Sequence, residues 1–125
     1  MARVLIAEDE EVLRALCARA LLTDGHEVKA ARDGSEALEL LASEQGGFDL
    51  LLTDIRMPIM DGIALALSTA RDYPSLTILL MTGYADQRER AHGLDAIIHD
   101  VLSKPFSVAT LRATVKEALA VQARN

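Results

Sequence analysis

Residues 48–54, Phe-Asp-Leu-Leu-Leu-Thr-Asp, decide the fold of this chain. From Phe48 to Thr53 the segment is apolar on both faces apart from Asp49, and Asp54 follows it directly. A strand without a polar face belongs in the middle of a parallel sheet that helices cover on both sides. The segment therefore predicts an α/β fold in which Asp54 stands at the carboxyl end of a central strand.

The rest of the chain alternates short apolar runs with longer stretches of helical periodicity. This alternation predicts an α/β domain with five strands, five helices, a parallel sheet and right-handed crossovers. The predicted strands are Val4–Ala7, Glu27–Ala31, Phe48–Thr53, Thr77–Met81 and Ile98–Leu102.

Breaker residues and apolar spacing predict the helices. The first helix is expected to end at Gly25, and the second to begin at Gly34-Ser35 and end at Gly46-Gly47. The third is expected from about Ile63 to Asp72 and the fourth from Ala85 to Gly93. Ser107 is predicted to cap the last helix. The inward positions of the first and last helices are predicted at Leu13, Leu16, Cys17, Ala20, Leu21, Val108, Leu111, Val115 and Leu119.

Composition and charge argue against several classes of partner. The 125-residue chain has a formal net charge of -6, no run of Lys or Arg, two Phe, two Tyr and no Trp. Nucleic-acid binding needs clustered positive charge or stacking aromatic rings, so neither a nucleic acid nor an anionic membrane surface is an expected partner. No apolar run is long enough for a signal peptide or a membrane span, so we expect a soluble cytoplasmic protein. The length predicts one domain, residues 1–125, with no effector domain.

The functional side chains are expected at one edge of the sheet, because open parallel sheets bind ligands beyond the carboxyl ends of their strands. Those ends are followed here by Glu8-Asp9, Asp54, Thr82-Gly83 and Lys104-Pro105. Three carboxylates held close together repel one another unless a cation joins them, and oxygen ligands favour Mg²⁺. Asp54 is then a metal ligand and a candidate nucleophile that forms an aspartyl-phosphate.

The other residues at this edge suit phosphoryl transfer. Such a reaction needs in-line positioning and positive charge on the phosphoryl oxygens. Lys104 supplies charge, Thr82 supplies a hydrogen bond, and Gly83 leaves room for the phosphoryl donor.

Taken together, these residues resemble the receiver domains of two-component response regulators. The resemblance runs the whole length of the chain and depends on Glu8-Asp9, Asp54 with Met57-Pro58 and Asp61-Gly62 behind it, Thr82, and Lys104-Pro105. It implies the CheY-like, flavodoxin-like (βα)5 fold, doubly wound, with the strand order 2-1-3-4-5.

The resemblance also implies the chemistry. Asp54 would accept phosphate from a histidine kinase or a histidine phosphotransferase, and the switch would control binding of a downstream protein. Magnesium would be held by Asp9, Asp54 and the main-chain carbonyl of Arg56, with Glu8 helping. No enzymatic activity is expected beyond self-phosphorylation and slow autodephosphorylation. Structural roles fall to Pro58, Gly62, Gly83 and Pro105, with a cis peptide at Lys104-Pro105.

One position departs from the family pattern. Receivers often carry Tyr or Phe three residues before the lysine, where its rotation reports phosphorylation, and this chain has Val101 there. We expect the switch to involve Thr82 and Val101, with Tyr84 taking over part of the role of the missing ring.

Three alternatives remain open at this point. An aspartate-nucleophile phosphohydrolase would want a second acid two residues after Asp54, where this chain has Arg56. A flavin-binding domain would want a phosphate-binding loop after the first strand, where the acids Glu8 to Glu11 stand. Among receivers, Val101 and the segment Leu-Ser-Lys-Pro-Phe at 102–106 are similar to single-domain adaptors for an AAA+ protease.

Overall fold

The computed structural model describes residues 2–83, 91 and 93–124. Tyr84 and nearly all of the fourth predicted helix, Ala85–Gly93, lie outside the described residues. Within the described part, no helix is long and apolar enough to cross a membrane.

The described chain contains five strands and four helices, which alternate except between the fourth and fifth strands. They are β1 (Arg3–Ala7), α1 (Glu11–Thr23), β2 (Glu27–Ala31), α2 (Gly34–Ser43), β3 (Leu50–Asp54), α3 (Gly62–Asp72), β4 (Thr77–Thr82), β5 (Asp100–Ser103) and α4 (Val108–Arg124). The strands form one parallel sheet in the order β2-β1-β3-β4-β5. This confirms the predicted fold class and strand order.

The sheet separates two apolar layers, because successive side chains of a strand point to opposite faces. Leu51 of β3 packs with α2 and α3, whereas its neighbours Leu50 and Leu52 pack with α1 and α4. All five residues of β3 are buried, as the apolar run predicted. The central strand therefore holds Asp54 in a rigid frame at its carboxyl end.

The predicted helix boundaries follow from local hydrogen bonds. The Ser107 hydroxyl accepts a bond of 3.0 Å from the Thr110 N–H, which confirms the cap of α4. Gly25 and Gly46 follow the ends of α1 and α2 with positive φ values of 89° and 67°, a conformation that glycine adopts without strain.

Two predicted inward positions were wrong. Leu16 is 44% exposed and Val108 is 38% exposed, because each lies at the margin of its helix's apolar stripe. Three strand starts also differ, and the first strand begins one residue earlier than predicted, at Arg3. The third strand begins at Leu50, after a turn in which the Phe48 N–H bonds to Gly46, and the fifth begins at Asp100, because the Ile98 N–H bonds to Leu94.

Candidate functional site

Three acids meet at the carboxyl edge of the sheet, as predicted. Glu8 and Asp9 follow β1, Asp54 ends β3, and one carboxylate oxygen from each lies within 4.8 Å of the others. Glu8 and Asp54 are buried, with exposed fractions of 0% and 5%, whereas Asp9 is exposed. The neighbouring strands β1 and β3 are hydrogen-bonded in register, so the fold itself holds these like charges together.

Lys104 pairs with two of these acids. Its Nζ lies 2.9 Å from Oε1 of Glu8 and 3.0 Å from Oδ2 of Asp54. The main chain positions it, because the Lys104 N–H donates to the Thr82 carbonyl at 2.6 Å. Burial alone would lower the pKa of Lys104, but the hydrogen bonds to Glu8 and Asp54 outweigh burial and raise it. Lys104 is therefore a fixed cation beside the Asp54 carboxylate.

Glu8 is the acid least accessible to water. Burial raises its pKa to about 7, against the opposing hydrogen bonds from the Glu10 N–H and from Lys104. A carboxylate with so little solvent contact needs positive charge nearby to stay ionised. The site thus holds more negative charge than Lys104 neutralises.

Thr82 brings a buried hydroxyl to the end of β4. The residue is 1% exposed, and its Oγ1 has no hydrogen-bond partner among the described residues. A buried polar atom without a partner costs about 1–3 kcal/mol. An incoming oxygen ligand would remove that cost.

The loop after Asp54 is tightly packed against the strand. A Cβ on Gly62 would overlap the main-chain oxygen of Asp54, so only glycine fits there. The Gly62 N–H donates to the Ile55 carbonyl at 2.8 Å, and the Asp61 carboxylate caps α3 through the Ala64 N–H at 2.9 Å. Pro58 lies exposed in this loop. These contacts fix the path of the chain on both sides of Arg56.

A cavity of about 910 Å³ gathers most of the predicted site residues. Its lining includes Glu8, Asp9, Asp54, Arg56, Gly83, Lys104 and Pro105. The Lys104-Pro105 peptide is cis, as predicted. Gly83 would admit a Cβ, since the nearest atom, Cδ of Lys104, lies 3.9 Å away. Val101 does not line this cavity; it is half-buried and packs against the core layer of α2 and α3.

One side of the same cavity is an apolar wall that was not predicted from the sequence. Val12, Leu13, Leu16 and Phe106 line it, and Val12 is 76% exposed. The spacing of Val12 and Leu16, one helical turn apart, is the sequence pattern that indicates this wall, and the prediction that Leu16 faces the core is wrong. The acidic site therefore has an exposed apolar surface beside it.

Comparisons with known proteins point to one family. A model of the response regulator receiver domain matches residues 4–116. Response regulator MprA of Mycobacterium ulcerans is 36% identical over 117 residues, which cover 94% of this chain and 50% of that protein. Response regulator protein TrrA of Thermotoga maritima, solved in complex with Mg²⁺-BeF, is 30% identical with a TM-score of 0.83 and covers 94% of this chain and 99% of its own. A CheY-like receiver domain protein of Methanospirillum hungatei JF-1 has a TM-score of 0.90 at 28% identity, covering 99% of this chain and 98% of that one.

The chain therefore belongs to the response regulator receiver domain family, which acts in two-component signalling. The predicted family is confirmed, and the match favours it over the phosphohydrolase and flavin-binding alternatives. The chain spans about half the length of the curated relatives it matches.

Proposed function

We propose that Asp54 is the phosphoacceptor and that it takes its phosphoryl group from a phosphohistidine on a histidine kinase or a histidine phosphotransferase. The observation that carries the proposal is the position of Lys104, whose Nζ lies 3.0 Å from Oδ2 of Asp54 at the floor of an open cavity. An ammonium at that distance is placed to stabilise the charge of a phosphoryl group bonded to this carboxylate.

The reaction follows from these groups. A carboxylate oxygen of Asp54 attacks phosphorus, the P–N bond of the phosphohistidine breaks, and the imidazole nitrogen leaves with the bonding electron pair. Lys104 offsets negative charge on the phosphoryl oxygens, and the hydroxyl of Thr82 donates a hydrogen bond to one of them. The buried hydroxyl, without a partner among the described residues, supports the role of Thr82.

The residues present fit Mg²⁺. The three acids offer oxygen ligands within 4.8 Å of one another, with no His or Cys among them, which suits a hard divalent cation. Asp9, Asp54 and the main-chain carbonyl of Arg56 would hold the ion, with Glu8 helping. When bound, Mg²⁺ supplies positive charge to the transferring phosphoryl group.

The output we propose is binding of a downstream protein. Phosphorylation adds negative charge at Asp54, so Lys104 and Thr82 gain a new partner and the balance between two conformations shifts. No rotating ring stands at Val101, so packing of this half-buried side chain takes the place of ring rotation. The proposed role of Tyr84 concerns a residue outside the described part of the chain. The domain acts here as a phosphoacceptor and not as an enzyme.

The test is a titration of the protein with beryllofluoride and Mg²⁺, followed through its backbone amides by NMR, with Asp54→Asn as the control. Beryllofluoride mimics an aspartyl-phosphate where a carboxylate, a cation and a lysine converge. We expect large shifts around Asp54, Thr82 and Lys104 that vanish in the variant. Absence of any response in the unmodified protein would overturn the proposal.

A further inference from the structure

Ile59 occupies a strained turn in the loop between β3 and α3. Its φ is 68°, and the Met60 N–H donates to the Pro58 carbonyl at 2.7 Å, which closes a three-residue γ-turn around it. A γ-turn of this hand is rare and strained. Positive φ is a genuine outlier for a β-branched side chain.

The surrounding fold imposes this turn. On one side, Gly62 fits tightly under the carbonyl of Asp54. On the other, the Gly34 N–H at the start of α2 donates to the Met60 carbonyl at 3.2 Å, which fixes the peptide that follows Ile59. The packing thus requires a positive φ at residue 59, but it does not require isoleucine.

The side chain contributes little to its own domain. Ile59 is 84% exposed, so its apolar atoms gain almost nothing from burial within the domain. The other described residues with positive φ are Gly25, Gly46 and Gln45, and none of these is β-branched. An isoleucine that is both strained and exposed is therefore best explained by a contact outside the domain.

The position of Ile59 near Asp54 indicates that the molecule contacting it is the protein that donates the phosphoryl group. It lies three residues beyond Arg56, which lines the acidic cavity, in the loop that leads to α3 on one face of the sheet. Val12 and Leu16 flank the same cavity from α1 on the other face, with exposed fractions of 76% and 44%. Exposed aliphatic side chains thus stand on both sides of Asp54. A small phosphodonor needs no such flanks, whereas a protein donor must cover them to reach the carboxylate.

We propose that Ile59 is a specificity-determining contact for the protein that donates the phosphoryl group, where it packs against an apolar side chain beside the donor's phosphohistidine. The inference rests on the proposed function of Asp54. Exposed Asp9 and Glu10 beside the cavity favour a donor surface that carries basic residues around this apolar contact.

The experiment compares two phosphodonors on the same variants. Phosphoramidate is the small donor, and the protein donor is whichever histidine kinase or histidine phosphotransferase of the source organism transfers fastest to the unmodified chain. The test variant is Ile59→Asn, because Asn tolerates positive φ and removes the apolar side chain. The matched control is Leu22→Asn, which removes an exposed aliphatic side chain, 56% accessible, beside Arg3 at the amino end of the sheet.

We expect Ile59→Asn to accept phosphate from phosphoramidate at the unmodified rate and to lose about tenfold in kcat/KM for transfer from the protein donor, mainly through KM, as for a truncated interface anchor. Leu22→Asn should match the unmodified chain with both donors. The melting temperature of the Ile59→Asn variant should not be lower than that of the unmodified chain, because Asn adopts the positive φ of this turn with less strain than Ile. Normal transfer from the protein donor, an equal loss with both donors, or no histidine kinase or histidine phosphotransferase that transfers to the unmodified chain would overturn the inference. Failure of phosphoramidate to label Asp54 would instead overturn the proposed function.

Discussion

Replacing Lys104 with Met tests how the acidic site is held together in the absence of metal. The change removes the ammonium that lies 2.9 Å from Glu8 and 3.0 Å from Asp54 and leaves two buried carboxylates facing each other. Removing one partner of a buried ion pair costs about 3–5 kcal/mol. The Lys104 side chain keeps 22% of its surface exposed, so we expect the lower end, about 3 kcal/mol at pH 8.

The loss should depend on pH, and its sign follows from Glu8. Burial holds the pKa of Glu8 at about 7 in the folded protein, above the 4.5 of an ordinary Glu. The folded state therefore binds this proton more tightly than the unfolded state, which stabilises the fold at low pH and is lost as pH rises through about 7. At pH 6 a proton on Glu8 replaces the missing charge of Lys104, and the cost of the substitution should shrink to about 1 kcal/mol.

The assay is urea unfolding followed by far-UV circular dichroism at pH 6 and pH 8, with and without Mg²⁺, since the chain has no Trp. Magnesium should stabilise Lys104→Met more than the unmodified protein, because the ion meets less positive charge at the site. Lys116→Met, which removes an exposed lysine of α4, is the control and should change stability little. A loss that is the same at both pH values and insensitive to Mg²⁺ would refute this reasoning.

Two further substitutions probe the residues around Asp54. Thr82→Val replaces a buried hydroxyl, which has no partner in the described part of the chain, with a methyl group, so urea unfolding should give a free energy about 1 kcal/mol higher, while the NMR response to beryllofluoride weakens; a lower stability would contradict this expectation. Gly62→Ala forces a Cβ onto the main-chain oxygen of Asp54 and should cost about 3 kcal/mol in the same unfolding experiment, and a variant as stable as the original would show that the loop can relax.

The sheet could be predicted because its central strand carries an unusually direct signal. Leu50, Leu51 and Leu52 are buried on both faces, so the run needs no alternation to be read as a strand. The edges of the apolar helix faces and the ends of the strands were harder to predict. The wrong assignments of Leu16 and Val108 arose because helical spacing defines a stripe but not its width, and the late start of β5 depends on a backbone bond from Ile98 that composition does not encode.

The residues of the candidate site could be predicted from the sequence, but their burial and their contacts could not. Parallel strands bring their carboxyl ends together, which placed Asp54 beside Glu8 and Lys104 before any distance was known. The complete burial of Glu8 and its contact with Lys104, 96 residues away, depend on packing that has no local signature. The positive φ of Ile59 was equally hidden, because a β-branched residue favours the opposite backbone region.

The Thr82 hydroxyl, which has no partner among the described residues, would link the proposed phosphorylation to the thermal stability of the domain. If the hydroxyl gains its hydrogen bond only from a phosphoryl oxygen, the unphosphorylated protein should be less stable than the same fold with valine, and phosphorylation should remove the difference. The melting temperature of the domain should then report whether Asp54 is phosphorylated. Selection for a responsive switch would then hold the resting form below the stability that its core could support.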